Sequence, residues 1–206
     1  RNRWFACVHM GTKNAAVAGP YLDLVRHMVK EQGGQVVRVG LAGEPSLADG
    51  SGVIDLTRDA GSIPLQAAAI SRARYVIGDG TGYATLAGAF RTPGVVADSI
   101  EYGKLAWNIG DMVLAKRIFT PSGKLLATSR ADEKGLLNGQ LPEGFWAEAN
   151  EAEDLIAAAA AMFEATADCP AWRQPPEESK VAEEPGLTLP FTMRDEPLVT
   201  FLDQKI

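Results

Sequence analysis

Tyr75-Val76-Ile77-Gly78-Asp79-Gly80-Thr81-Gly82-Tyr83-Ala84-Thr85 is the stretch of this 206-residue chain on which the fold turns. Apolar, β-prone residues run to Ile77, glycines alternate through Gly82, and Ala84, Leu86, Ala87 and Phe90 continue at helical spacing. The pattern is strand, glycine-rich turn, helix. Free backbone N–H groups and the positive end of a helix that starts near Gly82 converge on one spot, which suits an anionic group such as a diphosphate. Glycines let a ligand approach the backbone closely, and the hydroxyls of Thr81 and Thr85 can donate to phosphate oxygens. Asp79 can hold the loop's amides or meet a ribose or sugar hydroxyl. Glycine-rich turns also join strands to helices for steric reasons alone, so the place of this one in the fold decides its meaning.

Upstream, residues 4–9 predict a first strand that stops at Met10-Gly11-Thr12. Residues 20–32 predict an amphipathic helix with Tyr21, Leu24, Val25, Met28 and Val29 on one face, Pro20 in its first turn and Gly33-Gly34 as its stop. Residues 35–39 predict a second strand ended by Gly40, and residues 53–56 a short third one. Ser62 is placed to cap a helix through Pro64, Leu65, Ala68, Ala69 and Ile70. Strands at 74–77 and 93–97 follow. This alternation implies an α/β fold, a Rossmann-like parallel sheet with helices on both faces, because parallel strands need crossover connections. Residues 101–122 mix aromatic, glycine and charged residues without a period and stay unassigned.

Asn150, with Glu153 three positions on, predicts a capped helix to about residue 167. Residues 168–206 then hold six prolines and eight acids against four bases, with no helical period. They read as an acidic tail, extended unless it lies against something, and its apolar patches, Leu187 to Phe191 and Leu198 to Leu202, suggest docking on this domain or on a partner domain. The expected division is a binding domain over 1–167 and a tail over 168–206.

Ligands of open α/β sheets sit at the carboxyl ends of the strands. That rule adds His9, Gly11, Gly40, Thr57 and Arg58 to Asp79, Gly80, Thr81, Gly82, Tyr83 and Thr85 as candidate binding residues. Arg58 suits a phosphate clamp, or equally a solvated arginine paired with Asp55 or Asp59. His9 suits a ligand contact or a satisfied core histidine.

Other chemistries lack their residues. Net charge is -6 and the basic residues are scattered, so a footprint for polymeric nucleic acid is missing. No apolar run is long enough for a bilayer span. Two cysteines, Cys7 and Cys169, make neither a disulfide framework nor a zinc site and fit a reducing cytoplasm. No Gly-x-Gly-x-x-Gly follows the first strand, and no Walker loop, Gly-x-Ser-x-Gly elbow or Asp-x-Asp pair occurs. The expectation is a site without metal or cofactor. The chain opens at Arg1 and enters a strand-like run directly, which suggests a start cut from a longer protein.

Read in order, Val53-Ile54-Asp55-Leu56, the helix after Ser62, the glycine loop and Thr92-Pro93-Gly94-Val95-Val96 resemble the donor-side domain of heptosyltransferase-like glycosyltransferases. The nearest likeness is to a group of bacterial glycosyltransferases sometimes attached to tetratricopeptide repeats. Cys7-Val8-His9 and Val36-Val37-Arg38-Val39-Gly40 resemble that group's His-ending strand and its Val-x-Arg-x-Gly strand, so the likeness spans roughly residues 4–130. Two departures stand out. Met10-Gly11 replaces a frequent Arg, and Asp79-Gly80-Thr81-Gly82 replaces Asp-Ser-Gly. The resemblance implies half of a two-Rossmann (GT-B) glycosyltransferase that binds a nucleoside-diphosphate sugar for metal-independent transfer. The acceptor and the catalytic base would come from an N-terminal domain absent from this sequence, which leaves the catalytic residues unassigned. The alternatives are a nucleotide-sugar epimerase of the same fold, or a non-catalytic module that interacts through its acidic tail.

Overall fold

The computed structural model describes residues 4–11, 15–44, 47, 52–58, 63–79, 82–101, 110–167 and 200–204. Its elements are β1 (Phe5–His9), α1 (Ala15–Lys30), β2 (Gln35–Val39), β3 (Val53–Asp55), α2 (Ile63–Ile70), β4 (Val76–Asp79), α3 (Gly82–Phe90) and β5 (Gly94–Ser99). There follow β6 (Met112–Ala115), β7 (Arg117–Phe119), β8 (Leu125–Leu126), α4 (Thr128–Glu133), β9 (Trp146–Glu148), α5 (Ala152–Ala165) and β10 (Thr200–Phe201). Seven strands form one parallel sheet in the order β10-β6-β5-β4-β1-β2-β3. This is the Rossmann-like α/β architecture. The chain winds outward from β1 to β2 and β3, then returns through α2 to lay β4 on the other side of β1. The strand order therefore reverses between β1 and β4, and ligands of such sheets bind in the crevice at that reversal.

Side chains alternate across the sheet with the period of two that strands impose. Ala6, Val8, Val36, Ile77, Val95 and Ala97 join Tyr21, Leu24 and Met28 of α1 and Leu155, Ala158, Ala159 and Met162 of α5 in one core. Cys7, Val37, Val39 and Val76 face the other way, onto Ile70 of α2 and Ala87 of α3. Both faces are covered, which explains why these strands read as apolar runs rather than alternating ones.

Several expectations need correction. α1 starts five residues before Pro20, because Ala15-Ala16-Val17-Ala18 offers no stop; Pro20 thus lies inside the helix and forgoes one ladder bond. Gly33, with φ +68, ends the helix as expected. β4 continues to Asp79, since Gly78 and Asp79 still pair with Val96 and Ala97 of β5. Asn150 does not cap α5. Glu151 occupies the cap position without a side-chain bond, and the Asn150 side chain donates to Ala115 O and Asp98 Oδ1 instead. Ser62 lies outside the described residues.

The unassigned 101–122 stretch contains β6, a full member of the sheet, and β7, the centre of a small antiparallel sheet in the order β8-β7-β9. A four-residue apolar strand has too little length to declare its period. Residues 200–204, read from sequence as part of the tail, also lie against this domain. Thr200 and Phe201 extend the sheet beside β6, buried Gln204 donates to Ala115 O at 2.8 Å, and Asp203 accepts from the Ser129 N–H at 2.8 Å in the first turn of α4. α4 is capped by a side chain 74 residues distant rather than by its own N-cap Ala127.

Candidate functional site

The reversal point is built by two facing residues. His9 ends β1 and pairs in register with Gly78 of β4. A Cβ at position 78 would collide with the His9 carbonyl and lie 2.8 Å from His9 Cβ, so the strands close here only because residue 78 is glycine. Gly78→Ala is expected to lose about 1–3 kcal/mol of stability through this overpacking. Urea unfolding checks it, and a change below about 0.5 kcal/mol would show that β1 and β4 separate freely.

Asp79, the last residue of β4, then reaches back across β1. Its Oδ1 lies 2.7 Å from His9 Nδ1 and its Oδ2 accepts the Gly11 N–H at 2.7 Å. One carboxylate thus stands against the imidazole and holds the loop after β1. The Tyr83 ring, in the first turn of α3, covers the imidazole with centroids 4.3 Å apart. Burial, and next the charge of Glu44, push the Tyr83 phenol above its ordinary range, while Arg38 pulls it down. α3 opens at Gly82 with no acidic residue in its first turn, so its positive end stands uncompensated by its own side chains. A shallow cavity runs from His9, Asp79 and Tyr83 beneath α3 toward Val96 and Asp111.

The structure therefore gathers His9, Gly11, Asp79, Gly82 and Tyr83 at one place, with Thr85 exposed on the next part of α3. Gly80 and Thr81 lie outside the described residues. Gly40, Thr57 and Arg58 are held at the ends of β2 and β3 by other partners. Gln66 of α2 takes the Gly40 N–H at 2.9 Å and donates to Gly40 O and Leu56 O, which locks two strand ends together. Both backbone groups of Gly40 are engaged in the fold. Thr57 is buried and gives its N–H and hydroxyl to Asp55 Oδ1, a local turn. The Arg58 side chain is 69% exposed and stands 3.7 Å from Asp55, the solvated arrangement weighed above.

Sequence reasoning missed Arg38 as a site neighbour, and it missed Glu44. A charged residue inside Val-Val-Arg-Val is a signal that could have found the first. Nothing in the turn-rich segment after Gly40 marks the second. Among the described residues no group of three or more His, Cys, Asp or Glu could hold a metal ion, and no helix is long and apolar enough to cross a membrane.

No family model and no curated protein matches the sequence. Among solved structures, the chain is similar to the S. aureus MnaA-UDP co-structure, at 15% identity and TM-score 0.39 over 53% of this chain and 33% of that one. It is also similar to CalG4, the calicheamicin glycosyltransferase, at 14% identity and TM-score 0.38 over 81% of this chain and 39% of that one. The chain thus spans between a third and two fifths of the length of these structures.

Proposed function

We propose that this chain binds a nucleoside-diphosphate sugar and serves as the donor-side half of a GT-B, heptosyltransferase-like glycosyltransferase. The observation that carries the reading is the coincidence, at the reversal between β1 and β4, of the His9–Asp79 pair with the positive end of α3. A diphosphate placed there meets backbone N–H groups of the first helical turn and the imidazole beside them. Fixed dipoles of this kind take up the charge that develops on a leaving diphosphate and need no metal to do so. Transfer itself requires an acceptor and a base, which an N-terminal partner domain supplies in this reading, so the chain alone binds donor without turning it over.

Isothermal titration with UDP, GDP and ADP tests the proposal. At least one should bind, and Asp79→Ala should weaken it about tenfold, or about 1.4 kcal/mol, because imidazole and loop both lose their anchor. Absence of binding by all three, or an unchanged affinity in the variant, would remove the reading. A second reading, epimerisation of a nucleotide sugar, is favoured by the oriented carboxylate–imidazole pair, since that chemistry needs an acid or base in the cleft. Epimerised product formed without any acceptor would select it.

A further inference from the structure

Among the described residues, Arg38 of β2 is the largest fully buried side chain, at 0% exposure. Its guanidinium donates to Met10 O at 3.1 Å, to Val39 O, and to Glu44 Oε2 at 2.7 Å, while its Nε has no hydrogen-bond partner. Glu44 itself is only 6% exposed at the side chain. Gly40 lies against this pair: a Cβ there would strike the Glu44 carboxylate and come within 2.5 Å of Arg38 Nη1.

The pair is tied to the end of β1. Arg38 holds the carbonyl of Met10, and Asp79 holds the next residue's N–H, so the end of β1 is gripped from both neighbouring strands. One buried guanidinium therefore serves this edge, and it already carries a carboxylate, Glu44. A phosphate entering here is attracted by Arg38 and repelled by Glu44. Arg38 is fixed by its strand, whereas Glu44 sits at the end of an exposed turn, Leu41 to Gly43, in which Gly43 takes φ +88.

We propose that Glu44 is an internal stand-in for a ligand phosphate, neutralising Arg38 until a phosphoryl oxygen displaces it and takes the guanidinium. This rests on the nucleoside-diphosphate reading above and names its buried cationic partner. Arg38 suits the exchange because guanidinium forms two parallel bonds to phosphate oxygens, and its Nε supplies the donor that Glu44 leaves unused. A buried cation without a counter-charge is costly, so the site needs one occupant or the other.

The test is Glu44→Gln, which removes the charge and keeps the size, measured by thermal shift and titration with UDP and with inorganic pyrophosphate. The variant should melt lower than wild type without ligand, gain a larger melting shift from pyrophosphate, and bind UDP about tenfold more tightly. Equal or weaker binding than wild type overturns the proposal, because a purely structural ion pair changes stability and leaves the ligand-induced shift alone. If wild type binds none of the nucleotides, the donor-binding reading fails. The exchange then stands or falls on whether pyrophosphate stabilises Glu44→Gln more than wild type. Should the variant not fold, amide exchange in the wild-type chain decides. Pyrophosphate should speed exchange at Leu41 to Glu44, and slower exchange there overturns the displacement.

Discussion

Replacing Asp98 with alanine should cost about 3–5 kcal/mol of folding stability. Asp98 interrupts the pairing of β5 with β6 and adopts φ +52, a left-handed conformation that L-residues enter at a cost. Its carboxylate accepts the Asn150 N–H at 2.7 Å, Asn150 Nδ2 at 2.8 Å and the Tyr21 hydroxyl at 3.1 Å. Asn150 in turn accepts from Gln204, whose own carbonyl takes the Thr128 hydroxyl. One carboxylate thus joins α1, β5, the entry to α5 and the C-terminal segment. Alanine would strand three donors and keep the left-handed backbone. Glycine relieves the backbone alone, and asparagine keeps an acceptor and tolerates φ > 0, so the losses should rank Asn below Gly below Ala. Urea denaturation of the three variants checks the order, and an alanine variant as stable as the asparagine one contradicts it.

The same residue sets a pH dependence. Burial pushes the Asp98 carboxyl above its ordinary range, against the opposing pull of the Asn150 and Tyr21 bonds. The folded chain therefore holds this proton more tightly than the unfolded chain. The resulting stabilisation is fully present below the unfolded value, about 3.9, and is lost as pH rises through the raised folded value. On acidification from neutrality to about pH 4, wild type should gain stability relative to Asp98→Asn, in which this proton is absent. A gap that is flat or moves the other way contradicts the raised value.

Arg74→Ala should lose about 3 kcal/mol at the opposite edge of the sheet. The guanidinium is buried, lies 3.7 Å from the Phe163 ring centroid and 5.3 Å from that of Trp4, and donates to Phe163 O at 2.6 Å and Thr166 Oγ1 at 3.0 Å. It supplies the positive charge at the C-terminus of α5, whose last turn contains no basic residue of its own. Lysine keeps the charge and loses the flat, forked geometry, so Arg74→Lys should recover less than half of the loss. Denaturation of both variants, with a double-mutant cycle against Phe163→Leu, measures the coupling. A loss for Arg74→Ala within about 0.5 kcal/mol would reduce the contact to surface decoration.

Where local order suffices, the sequence is legible. Phe5-Ala6-Cys7-Val8-His9, Gln35-Val36-Val37-Arg38-Val39 and the run into Gly78 announce strands, Tyr21, Leu24, Val25 and Met28 announce a helix face, and their alternation dictates a parallel sheet with covered faces. From that alone the ends of β1 and β4 become the place to look, and His9, Gly11, Asp79, Gly82 and Tyr83 do meet there. What lies beyond local order left weaker signals, such as the apolar patch Leu198 to Leu202 that marks a docking segment without saying where it pairs. β6 is too short to show a period, and β10 joins the sheet from a segment whose composition resembles a tail.

Polar partnerships were equally hidden. Gln66 claims Gly40, Asp203 caps α4, Asp98 recruits Asn150 away from its own helix, and Glu44 finds Arg38, each decided by which groups the packed core brings within hydrogen-bond range. Secondary structure and its alternation are properties of neighbouring residues, so the amino-acid order determined the architecture and where the candidate site residues meet. The partner of a buried charge is chosen by desolvation, which forces each group onto whatever the fold sets beside it, and that choice exists only in three dimensions.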